Sequence, residues 1–351
     1  MTMKHKKIIF LTSCVVFMFT AFKVQKNTKE LAVKEKLSDY GFFAGKLADL
    51  SPSEGLIPYQ LNTPLFSDYA EKQRFIKLPS GTTAQFHATE TFQFPKGTIL
   101  IKNFYYPFDV RDKSKGRRIL ETRLLIHQEE GWVALPYIWN EEQTEAYLDV
   151  AGDTKEVSWK DEKGKKQVLQ YTIPNVNQCK GCHLKDGKMT PIGLVARQLN
   201  GNFPYKEGEE NQLLKWKKLG ILENLPELSQ VSQVPVWADA NSGDLNSRAR
   251  AWLDINCAFC HNPKGAASTS GLFLEYNQDN ATALGIFKTP VAAGKGSGNR
   301  QFDIVPAQPD KSILVYRIES NDPSEMMPEI GRKVVHKEGV ALIKEWIKQM
   351  K

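Results

Sequence analysis

Two copies of one pentapeptide constrain this chain more than anything else in it: Cys179-Lys-Gly-Cys182-His183 and Cys257-Ala-Phe-Cys260-His261. Each is a C-x-x-C-H, the pattern that attaches a c-type haem. Residues at i, i+3 and i+4 share one side of a helical turn. Two thiols can then reach the two vinyl groups of a porphyrin while the following His reaches the iron from one side. On this reading the chain carries two covalently bound haem c groups. Cys179, Cys182, Cys257 and Cys260 are the attachment points, and His183 and His261 are the proximal iron ligands.

The competing readings are a zinc site and a dithiol redox pair. One chance C-x-x-C-H is expected in roughly one sequence in a thousand of this composition, so two by chance can be set aside. Zinc ribbons separate their cysteine pairs by about 15–20 residues, whereas Cys257 follows Cys179 by 78. Zinc also has no need of a His directly after each pair. A thioredoxin-like pair would require a βαβ setting, and none is evident. The fifth and last cysteine, Cys14, lies in an apolar amino-terminal segment. No pair is left over for a disulfide.

The start of the chain reads as an export signal. Lys4, Lys6 and Lys7 form a basic region, and the mostly apolar run Ile8 to Phe22 follows. That run has signal-peptide length and is short for a membrane span. Residues 1–25 are therefore expected to be a signal peptide or an amino-terminal anchor, which leaves membrane attachment through this segment open. Leu11-Thr-Ser-Cys14 resembles a lipobox, but strongly apolar residues follow the Cys, which favours a Cys inside the apolar stretch. Export suits covalent haem, because c-type cytochromes mature outside the cytoplasm, and a periplasmic or other extracytoplasmic location is expected. The net charge of +7 falls to +4 without the three lysines of the basic region. That is too mild for a nucleic-acid binder, and no basic run interleaved with aromatics appears. The expected partners are extracytoplasmic redox proteins.

The expected fold class is α+β: an amino-terminal β-rich domain, then a haem-binding segment, then an all-α cytochrome c-type domain. From residue 30 to about 175, short runs rich in β-branched and aromatic residues alternate with turn signals. Examples are Arg74 to Leu78, Thr98 to Tyr106, Ile119 to His127 and Trp132 to Trp139. The charge runs Asp112 to Arg118 and Lys160 to Lys166 read as hairpin tips. Residues 176–235 form the first haem-binding segment, with a helix expected over Glu209 to Leu219 and ended by Gly220. Residues 240–351 form the last domain. There Leu245, Ala249, Trp252 and Leu253 predict an amphipathic helix running into Cys257, and Val340, Ile343, Ile347 and Met350 predict another at the end.

A low-spin haem needs a sixth ligand, usually Met or His. For the haem on His261, Met327, fixed by the following Pro328, is preferred over Met326, with His336 as the alternative. For the haem on His183 the candidates are Met189, His87, His127 and whichever of His336 or the Met pair is unused. His127 is preferred, and an open sixth position is the alternative. Arg300 and Arg332 are candidates for pairing with haem carboxylates. Ala293 to Gly298 lacks phosphate-loop spacing and reads as a flexible loop.

Several further stretches carry a family resemblance: Leu37 to Phe43, Leu61 to Ala70, Glu121 to Leu125, Pro191 to Gly193, Arg248 to Asp254 and Met326 to Arg332. Together with the two haem motifs they resemble a family of exported di-haem c-type cytochromes from Gram-negative bacteria, over nearly the whole chain from Leu37. The last part also resembles class I cytochrome c, which implies Met327 as an iron ligand. The resemblance implies two covalent haems with their iron and an extracytoplasmic location, and it names no substrate. Two attachment sites, a Met placed to ligate and no recognisable triad, phosphate loop or paired-carboxylate site make a non-enzymatic electron-transfer protein the leading expectation. The alternative is a di-haem peroxidase- or oxidase-like enzyme with an open coordination position on the first haem.

Overall fold

A computed structural model describes residues 31–351, and the amino-terminal segment with Cys14 lies outside them. The first strands are β1 (Ile57–Tyr59), β2 (Glu71–Lys77) and the two-residue β3 (Ala84–Gln85). Next come β4 (Ile99–Pro107), β5 (Arg117–Gln128), β6 (Gly131–Trp139) and β7 (Ala146–Leu148). All but β3 form one six-stranded antiparallel sheet in the order β1-β2-β4-β5-β6-β7. The hairpin β8 (Asp153–Lys160) with β9 (Lys166–Ile173) follows. Both charge runs lie at hairpin tips, Lys113–Lys115 between β4 and β5 and residues 161–165 between β8 and β9.

The central strands read as nearly continuous apolar runs because both faces of the sheet are covered. One face carries Phe75, Ile101, Leu124, Ile126 and Tyr137, packed against Leu37, Phe42 and Leu50 from the preceding segment. The other carries Ile76, Leu100, Leu125 and Ala134, which share a core with Cys179, Leu213 and Trp216. On that second face the pairing is a grid. Ile76, Leu100, Leu125 and Ala134 lie opposite one another across four strands, and the row beside them is Arg74, Lys102, Arg123 and Pro136.

Six helices occur among the described residues: α1 (Val176–His183), α2 (Ala196–Leu199), α3 (Gln212–Lys218), α4 (Leu245–Asn256), α5 (Ile313–Glu319) and α6 (Lys337–Gln349). The helix expected over Glu209 to Leu219 starts later. Glu209 to Asn211 pair as a strand with residues 202–204, and Asn211 caps α3 by accepting from Leu213 N and Leu214 N.

The expected all-α cytochrome c-type domain is not found. The described residues are β-rich around the six-stranded antiparallel sheet, and after residue 240 the α-helices among them are α4, α5 and α6. The 50-odd residues between Cys257 and Ser312 run as turns, short 3-10 segments and isolated bridges such as Ile286 to Ile304. The physical reason is local. Helical periodicity holds only in the two amphipathic stretches that flank this region, and the glycines and prolines between them favour turns.

Residues 31–351 pack as one compact unit. The stretch Leu61 to Ala70 fastens the sheet to the later helices. Asn62 Nδ2 donates to the carbonyls of Arg197, Asn200 and Val234, and Asn256 Oδ1 accepts from Phe66 N at 2.8 Å. Asp68 Oδ1 accepts from Lys333 N and Val334 N. Among the described residues no helix is long and apolar enough to cross a membrane.

Candidate functional site

Helix α1 presents the first motif. Asn175 caps it through a reciprocal pair, accepting from Gln178 N at 2.9 Å while its own N–H donates to Gln178 Oε1. Such a cap contributes about 1 kcal/mol. Pro174 stands just ahead of the cap, and Cys179, Cys182 and His183 fall at i, i+3 and i+4 of the helix. The second motif lies in a turn directly after α4, where Cys260 N and His261 N both donate to Cys257 O.

The two histidines are prepared alike. His183 Nδ1 lies 2.8 Å from Thr190 O and His261 Nδ1 lies 3.3 Å from Leu272 O. A carbonyl can only accept, so each Nδ1 carries the proton and each Nε2 is left with its lone pair free. That is the tautomer of a metal-ligating histidine. Burial keeps both imidazoles neutral, with His183 pushed down to about 4 and His261 lowered in the same direction. Burial also pushes the thiols of Cys257 and Cys260 up to about 12 and raises those of Cys179 and Cys182.

Each motif borders its own cavity. The first has about 1540 Å³ of space including its mouth, and Cys179, Cys182 and His183 line it. The second has about 1410 Å³, lined by Cys257, Cys260 and His261. They share a wall that includes Cys182, Phe259, Met327, Pro328 and Ile330. The motifs themselves touch, with Cys260 Sγ 3.9 Å from Gly181 O. Residues 79 apart in sequence are thus brought into contact.

Met327 lines both cavities, whereas Met326 is only 4 % exposed in the core and lines neither. Arg332 holds the Met327 segment. Its guanidinium donates to the carbonyl of Met327 through Nε at 3.0 Å and Nη2 at 2.8 Å, and to the carbonyls of Arg317, Ser320 and Val334. It is therefore a fastener whose donors are already engaged. Arg300 is occupied by Asp310 O, Gly298 O and the ring of Tyr316, and it lines neither cavity.

The first cavity does not include His127. That ring stacks on Trp132 and faces the carbonyls of Phe94 and Pro95. His87 accepts from Thr89 N and Glu90 N, and Met189 packs in the sheet core. Besides His183, the imidazole and thioether groups lining this cavity are His336 and Met327. His336 is stacked on Phe66 and accepts from Trp252 Nε1 at 3.0 Å through Nδ1. Its neutral ring therefore carries the proton on Nε2, which makes it a donor there rather than a ligand. Gly339 permits this packing, since a Cβ at that position would stand 2.4 Å from Trp252 Nε1.

Burial pushes His336 down to about 4, with Lys72 adding to the effect and Glu338 opposing it. The unfolded chain, with an ordinary histidine near 6.5, takes up this proton first. Stability is intact above that pH and is lost as pH falls from about 6.5 towards 4, by at most about 3 kcal/mol. His336→Gln keeps an acceptor for Trp252 and cannot titrate in this range. Urea midpoints of the two proteins at pH 7 and pH 4.5 are expected to show a smaller acid loss in the variant. Equal losses would show that this ring does not contribute.

The expectation of a metal-binding protein is corrected in one respect. Among the described residues no group of three or more His, Cys, Asp or Glu side chains is arranged to hold a metal ion. No family model, curated protein or solved structure matches the chain.

Proposed function

We propose that the chain is an extracytoplasmic electron carrier holding two covalent haem groups, one in each cavity. Cys179 and Cys182 bind the first and Cys257 and Cys260 the second, with His183 and His261 as proximal ligands. The observation that carries this reading is the shared wall: two C-x-x-C-H motifs in contact, each opening on its own cavity beside a histidine with a free Nε2. The bound haems supply one-electron chemistry. The protein contributes fixed ligand tautomers, an apolar surround and close approach of the two sites. Met327 is the candidate sixth ligand. Export through the amino-terminal segment, redox-protein partners and kinship with exported di-haem proteins of Gram-negative bacteria belong to the same proposal. The chain is to be produced with its leader in a bacterium that attaches haem to exported proteins. The expected mass exceeds that of the polypeptide by two haems. A secreted, folded product without covalent haem would overturn the reading.

His336 supports a second reading. A neutral Nε2–H in the first cavity, beside a motif whose remaining lining thioether is shared with the second site, suits an open position where peroxide or oxygen could bind. Peroxide turnover with a reduced donor would favour this enzyme reading.

A further inference from the structure

The second face of the sheet carries three cations side by side. Arg74 pairs across the strands with Lys102, and Lys102 with Arg123, so one row crosses β2, β4 and β5. Neighbouring strands are about 4.8 Å apart, and like charges placed directly opposite are destabilising. All three side chains line the first cavity.

One acid answers this row. Glu121 is fully buried and takes a bidentate bond from Arg123, with Nε at 2.7 Å and Nη2 at 2.6 Å, and a third bond from Tyr171 Oη. Arg74 and Lys102 reach no carboxylate within ion-pair distance among the described residues. Arg74 is 6 % exposed, and its Nη2 is buried with no hydrogen-bond partner. Lys102 can shed its proton, and burial among cations lowers its pKa strongly. Arginine has no such escape. An unpaired buried guanidinium is expensive unless a counter-charge reaches it.

We propose that the row Arg74–Lys102–Arg123 is a carboxylate receptor that takes the two propionate groups of the haem bound at Cys179 and Cys182. The assignment rests on the di-haem reading and deepens it. Arg74 Nη2 has no hydrogen-bond partner and Lys102 meets only the ring of Phe104, and a porphyrin of this type carries two carboxylates. Arg123 and Lys102 act electrostatically on Cys179, Cys182 and His183. Arg74 stands two strand spacings along the row from Arg123, about 10 Å further across the sheet. The cations thus begin beside the motif and lead away from it along the cavity wall. The large antiparallel sheet thereby acquires a role at the site. It supplies the charge that fixes the carboxylate edge of a cofactor whose covalent bonds come from a helix outside the sheet.

The test uses the exported, haem-loaded chain and reads the reduction midpoint of each haem by spectroelectrochemistry with no added anion. Arg74→Met leaves one propionate without its cation, which favours the ferric form. The expected result is at least a tenfold fall in the equilibrium constant for reduction of one haem, about 59 mV for a one-electron couple. The other midpoint stays in place, and Arg74→Lys restores the first. Should the Met variant fail to accumulate with two haems, Lys102→Met is read in the same way. Two haems with both midpoints unmoved would overturn the assignment. A midpoint that responds only after malonate is added would overturn it too, giving the row to a soluble anion. Absence of haem from the unmodified chain is a separate failure, because it removes the di-haem reading before any variant is measured.

Discussion

Replacing Met327 by Leu in the haem-loaded chain is expected to lower one reduction midpoint by on the order of 0.1 V or more, out of the roughly 0.8 V that axial ligands span. It should also convert one haem to a high-spin ferric spectrum. The expectation follows from position. The side chain borders both cavities, and Arg332 fixes its backbone carbonyl with two donated bonds. A Met-to-Leu exchange conserves volume and usually costs less than about 1.5 kcal/mol, so the fold survives while the sulfur is lost. A Met/His pair raises the potential of a haem, and loss of the thioether removes that rise. Optical spectra and redox titration of the variant against the parent read the effect. Unchanged spin states and midpoints would show that this sulfur ligates neither iron. The identity of the affected haem, His183 or His261, would show which cavity the side chain serves.

Asp254→Ala is expected to destabilise the fold by about 3–5 kcal/mol. Asp254 stands on α4 with its side chain 3 % exposed. It accepts from Arg197 Nε at 3.0 Å and Nη2 at 2.9 Å, and from Tyr276 N at 3.0 Å. Removing the carboxylate leaves a largely buried guanidinium without its counter-charge, which costs more than the pair itself contributes. Adding Arg197→Met to the Ala variant should therefore recover part of the loss, because the stranded charge is gone. Urea midpoints of the four proteins of the double-mutant cycle measure this. A loss under about 1 kcal/mol in the single variant would mark the pair as solvent-screened.

Much of the sheet was legible in the residues. The β-branched runs and their Gly-containing turns placed β4, β5 and β6 to within one or two positions, and the apolar spacing of Leu245 to Leu253 and of Val340 to Ile347 found α4 and α6. The long loop after Cys257 was expected between its flanking helices; what failed is the all-α cytochrome c-type domain inferred from those two helices and the motif between them. At the site, the motifs announce themselves in the sequence, whereas only the fold shows that Met327 lines both cavities and Met326 neither. His127 was misplaced as a cavity residue because nothing local says which face of the sheet a strand-end histidine meets. The cation row was invisible for a related reason. Arg74, Lys102 and Arg123 are separated by 28 and 21 residues, and only strand register aligns them. The stretches Leu61 to Ala70, Glu121 to Leu125, Pro191 to Gly193, Arg248 to Asp254 and Met326 to Arg332 were noted as sequence words. In three dimensions each contributes to the wall of the first cavity.

That wall also sets an order of events. Its residues run from Tyr59 to Val340, so the enclosure depends on contacts between the two ends of the described chain. Contacts of such long sequence separation are slow to form, because the loop between them must first be closed. The helix carrying Cys179 and Cys182 is local, eight residues capped by Asn175, and its formation closes no long loop. Under the di-haem proposal, a group bonded to those cysteines is therefore seated before α6 and the Arg332 segment arrive. On that proposal the finished fold is a closure applied behind its cargo rather than a door through which the cargo enters.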